Sequence, residues 1–82
     1  MRTVYVVKGS EDGIIGVFGS SRSAAESATK YIYGCGDGIV PDSSIADIAR
    51  DARQSYHVTV TGTAPHGGPC WVQAEIEPFT VQ

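Results

Sequence analysis

Two histidines, two cysteines and a pair of glutamates are the residues of this 82-residue chain whose types could carry chemistry. His57, His66 and Cys70, with Cys35, make up its soft-ligand set. Zinc sites announce themselves through short C-x-x-C or H-x-x-x-H pairs that place two ligands on one turn. Here His66 and Cys70 are separated by Gly-Gly-Pro, and no such pair anchors a site, so no metal is expected. A Cys–His nucleophile needs a base within hydrogen-bond reach and surroundings that favour thiolate. Nothing in the spacing supplies either, and no nucleophile-elbow signature accompanies the serines. Glu75 and Glu77 fall on one face of a strand, which is the geometry of paired carboxylates, but solvation of an exposed face is much the better account of them. No catalytic residue and no cofactor are expected, and the chain is not read as an enzyme.

The glycine-rich stretch GCGDGIVPD, residues 34–42, raises the question of phosphate binding. Backbone N–H groups cradle phosphate where a strand leads into the loop and a helix N-terminus follows. Here a helix precedes the loop and no P-loop lysine is present, so a connector is the simpler reading. The acidic residues also lack the alternating spacing and closing glutamate of an EF-hand. Six Lys/Arg residues spread singly along a chain of net charge −3 disfavour nucleic acid as a partner, because phosphate-backbone binding needs clustered positive charge. With no run of about eighteen apolar residues, no membrane span is expected. MRTVYVVKGSEDG lacks the apolar core and cleavage site of a signal peptide, so the chain is read as cytosolic, with both thiols reduced.

What must position these residues is a small fold. A chain of this length forms one domain, residues 1–82, and buries only about 60% of its unfolded surface. RTVYVVK, residues 2–8, carries apolar groups on both faces and reads as a central strand. Asp12-Gly13 suits a tight turn into a second strand, 14–18, whose Ile14, Ile15, Val17 and Phe18 suit packing against a core. Ser20 or Ser21, or a capping box at Ser23–Glu26, begins a helix with an alanine-rich stripe, and Gly34 suits a left-handed end to it. A second helix is predicted over Ser43–Arg53, capped by Asp42 or Ser43, with another capping-box pattern at Ser44–Asp47. SYHVTVTG, residues 55–62, alternates as a strand, and CWVQAEIE, residues 70–77, pairs with it until Pro78 ends or bends the run. The expected fold is α+β, in the order ββααββ, with a four-stranded, mostly antiparallel sheet and two helices on one face.

The outward row of the last strand, Trp71, Gln73, Glu75 and Glu77, together with Tyr5 and His57, is then the expected partner-binding surface. An exposed tryptophan in a polar surround is a hot-spot candidate. The alternative is that Trp71 packs under the Pro65–Pro69 loop. An edge strand, 55–62 or 79–82, would give a homodimer seam by strand addition.

DGIIGVFGSSRSAAESA, followed much later by WVQAEIEPFTVQ, resembles a class of short bacteriophage and prophage proteins. Such proteins share a YVV-type strand, a GVFSS-like cap leading into an alanine-rich helix, and a closing strand of the I-E-x-F-x-V kind. The likeness covers about half the chain, and residues 34–69 have no counterpart in it. It implies a protein of the bacterial host's cytoplasm that binds and blocks a host protein or complex, CRISPR interference complexes included. That association concerns fold and context, not a reaction. A small-ligand or nucleotide-sequestering oligomer using the 34–40 loop is the alternative.

Overall fold

Val4 and Val6 point to one side of the first strand and Tyr5 and Val7 to the other, and a strand apolar on both sides belongs inside a sheet. In the computed structural model, which describes residues 2–54, 57–68 and 70–82, β1 (Arg2–Gly9) lies between β2 (Gly13–Phe18) and the last strand, β6 (Ala74–Val81). Helix α1 (Ser21–Tyr33) follows β2; then come β3 (Val40–Pro41), α2 (Ile45–Gln54), β4 (Val58–Val60) and β5 (Gly62–Thr63). The sheet order is β2-β1-β6-β4 with every neighbouring pair antiparallel, and β3 and β5 form a separate two-stranded ladder. The fold is the expected α+β arrangement with this small second sheet added.

Strand alternation shows where the helices lie. Tyr5 and Val7 of β1, Ala74 and Ile76 of β6 and Val60 of β4 are buried in one cluster with Ala24, Ala25, Ala28 and Ile32 of α1 and Ile48, Ala49 and Ala52 of α2. All five strand positions share one sheet face by register, since Val7 opposes Ile76 and Val60 opposes Ala74. The alanines let α1 lie close to the sheet. Ser20 is the cap, its Oγ accepting the Ser23 N–H at 3.1 Å. The C-terminus departs from expectation: Gly34 has φ −75°, a right-handed conformation, and its N–H returns to Lys30 O. The left-handed residue comes later, at Gly38 (φ 76°), where Pro65 closes over the backbone.

Several boundaries also move. Of the caps that the sequence offers for α2, the Ser44–Asp47 pattern is the one used, Ser44 Oγ accepting the Asp47 N–H at 3.1 Å, while Asp42 is engaged elsewhere. Of the strand predicted over 55–62, Ser55 and Tyr56 lie outside the described residues, and the rest divides at Thr61 into β4 and β5. Gly62 makes that switch sterically possible, since a Cβ there would come within 2.7 Å of Ile32 Cγ2. Residues 70–73 are not strand; Gln73 exchanges hydrogen bonds with Ser10, its O accepting from Ser10 N and its N donating to Ser10 Oγ. Pro78 does not end β6. It opposes Tyr5, beyond the last described β4 partner at Ile76, on a stretch of β6 where a missing N–H is tolerated. Residues 79–81 continue β6 against β1, beyond the described β4 partners.

Strand β2 also differs from the reading of a strand pressed against a core. It is the outer strand, with Ile14 66% and Val17 59% exposed, and Phe18 is its residue packed against the cluster. The register explains it. Val7 opposes Gly16 but Lys8 opposes Ile14, so Ile15 is an extra residue, and this bulge leaves Ile14 and Ile15 on the side away from the helices.

Candidate functional site

The helices leave one sheet face uncovered. On β1 that face carries Val4, Val6 and Lys8, the alternates of the buried Tyr5 and Val7. Register then builds the face in rows: Val17, Val6 and Glu77 in one, Ile14, Lys8, Glu75 and Thr59 in the next, with Val4 beside Phe79 towards the far end. The β2 side and the far end are apolar, with Ile14, Ile15, Val17, Phe79 and Val81 all exposed. A charged stripe borders them. Lys8 Nζ lies 3.3 Å from Glu77 Oε1, and His57 Nε2 lies 3.5 Å from Glu75 Oε1.

Continuing the β4–β6 register by one residue past Val58–Ile76 sets His57 opposite Glu77. One ligand atom from each of His57, Glu75 and Glu77 falls within 4.8 Å of the others. One nitrogen and two carboxylate oxygens thus converge on one point of the open face. Sequence spacing missed this group because the soft-ligand set was sought among His57, His66, Cys70 and Cys35. His66 instead turns its Nδ1 to the Gly68 N–H at 3.1 Å. The signal that could have found the site is the shared strand parity of 57, 75 and 77; only the register was lacking.

Of the six expected partner-binding residues, Glu75, Glu77 and His57 come together. Trp71 is 95% exposed and is not packed under residues 65–68; residue 69 of the expected covering loop lies outside the described residues. It projects from a segment pinned on both sides, with Cys70 N donating to Gly62 O and Gln73 bonded to Ser10. Gln73 is exposed beside that pin. Tyr5, expected on the open face, is on the covered one: it is 9% exposed, and the parity that buries Val7 buries it too. It borders a groove of about 450 Å³ lined also by Ala52, Arg53 and Pro78.

Within residues 34–40, Cys35 and Ile39 are half-buried and the other five residues are exposed. Ile39 packs against the core and Gly38 lies under Pro65. The Cys35 Sγ donates to Tyr31 O at 3.0 Å, and both cysteines are free. Burial pushes the Cys35 thiol up, and Cys70, Asp12 and Glu11 add to it, the opposite of what an activated thiolate requires. Asp42 accepts from Thr61 Oγ1 at 2.6 Å and from Thr63 Oγ1 at 2.5 Å, and these two bonds hold its carboxyl below the usual range.

No helix among the described residues is long and apolar enough to cross a membrane. No protein-family model, curated protein or solved structure matches the chain.

Proposed function

We propose that this chain is a non-enzymatic binding protein that docks a protein or protein complex of a bacterial host on the open face of its sheet and so inhibits or modulates it. A CRISPR–Cas effector is the kind of target that the phage resemblance implies. The observation that supports the reading is the uncovered face itself. Five exposed apolar side chains, Ile14, Ile15, Val17, Phe79 and Val81, adjoin a stripe of ionisable groups. Apolar surface left in water forgoes about 25 cal/mol for each Å² that burial would recover, and a contiguous patch rimmed by polar groups has the anatomy of an interface. Trp71, held out on a pinned segment, adds a rigid aromatic anchor of the kind that dominates binding energy.

The test is a tagged pull-down from bacterial lysate read by mass spectrometry of intact complexes, followed by titration of the captured partner with variants. Val17→Glu, Trp71→Ala and Glu75→Lys alter exposed or half-exposed side chains and should leave the fold intact. Each should weaken the complex by about tenfold or more, the range of an interface hot spot. Unchanged binding in all three would show that the open face is not the docking surface. A chain recovered alone with a retained small molecule would move the assignment to ligand sequestration, and one recovered only as a dimer would make the partner a second copy.

A further inference from the structure

We infer that His57, Glu75 and Glu77 form a binding site for a divalent transition-metal ion of the zinc class, with water completing its coordination. This is separate from partner docking and needs no partner to be tested. The donor set is one imidazole nitrogen and two carboxylate oxygens, a combination that suits Zn²⁺ and its first-row neighbours. The scaffold is two paired strands: Glu75 and Glu77 are alternate residues of β6, and His57 enters from the β4 side opposite Glu77. Bonds of about 2.0–2.2 Å to a tetrahedral ion place ligand atoms about 3.3 Å apart. His57 Nε2 and Glu75 Oε1 are 3.5 Å apart, and all three ligand atoms lie within 4.8 Å. Closing the remaining gap takes up to about 1.5 Å of side-chain movement, within rotamer reach of half-exposed groups.

One of the two carboxylates is already paired with a lysine, which an arriving ion would have to displace. The Lys8 ammonium lies 3.3 Å from Glu77 Oε1 and is itself partly exposed, so it is free to swing out when an ion arrives. Two carboxylates that share the open face of the sheet with a single ammonium and a histidine leave negative charge for a second cation to neutralise when the imidazole is neutral. Lys8 is therefore the competitor of the metal, and this gives the proposal a signature that loose adsorption to a mildly acidic protein lacks.

The experiment is calorimetric titration of the full chain with ZnCl₂, with Co²⁺ absorption as a second readout of ligand geometry. The expected result is a single site per chain, lost by about tenfold or more in His57→Ala and in Glu77→Gln, since each removes a direct ligand where even outer partners are worth that much. Lys8→Ala should bind several-fold tighter. Replacing both Cys35 and Cys70 with serine should change nothing, and circular dichroism confirms that each variant is folded. The inference is overturned by zinc binding that survives His57→Ala or Glu77→Gln, by binding lost with the cysteines, by affinity indifferent to Lys8, or by no binding at millimolar zinc.

Discussion

Asp42 shows how much one exposed side chain organises here. Each of its carboxylate oxygens takes a hydroxyl from a different threonine, Thr61 or Thr63, and its N–H donates to Thr61 O, so it ties the connector after α1 to the ladder at β5. From sequence it read as a helix cap, a fair use of aspartate before a serine pair; Ser44 won because the threonines compete for the same oxygens. Its carboxyl is held below the ordinary value in the folded state, so its contribution to stability is complete above the unfolded pKa of about 4 and fades as pH falls through the folded one. Asp42→Asn, with one acceptor oxygen in place of two, should lower the melting temperature at pH 7, and the gap to the parent should narrow towards pH 3. Thermal melts across that range check it; a constant gap would mean that the charge plays no part.

At the scale of elements, much was legible and the failures have physical causes. Helix α1 and the apolar stripe of α2 were readable because each obeys a 3.6-residue period, and β1 and β2 because their β-branched and aromatic runs are bounded by turn residues. Of the predicted α2 stripe, Ile48, Ala49 and Ala52 are buried and Ile45 packs half-buried against the core. The site was only half legible. Parity already placed Glu75 and Glu77 together, but His57 needed the β4–β6 register, and Tyr5 fell on the wrong side because β1 is apolar on both faces. The division of 55–62 was hidden because it depends on a distant contact. Gly62 is buried where α1, Ile39 and β3 converge, and an added Cβ would meet Ile32 at 2.7 Å, Ile39 at 3.1 Å and Val40 O at 3.3 Å. Gly62→Ala should therefore cost about 1–3 kcal/mol through overpacking, seen as a lower denaturant midpoint with an unchanged slope. A neutral result would mean that Ile32 and Ile39 yield without cost.

For the molecule as a whole, the core is a single layer between two helices and one sheet face, within a Cα envelope of 45 × 23 × 16 Å. A core of that size rarely supplies more than about 3–5 kcal/mol of net stability. Ile76 is fully buried at its centre, opposite both Val7 of β1 and Val58 of β4. Ile76→Ala, at about 2–5 kcal/mol, would remove most of that margin. Its expected outcome is loss of the cooperative thermal transition followed by circular dichroism, and a variant that still melts sharply near the parent temperature would place the stabilising centre elsewhere. The same thinness explains the open face: the two helices among the described residues are both used on one side.

The extra residue in β2 bears on how such a surface survives at high concentration in a cell. An outer strand with an unbroken rank of free N–H and C=O groups is a template on which further copies can crystallise edge to edge into fibres. Ile15 puts the rank out of step: across the bulge, two residues of β2 answer one of β1, and an incoming strand keeping a regular two-residue beat would lose its match midway. Strand addition at the β2 edge is hindered while the open face beside it stays exposed.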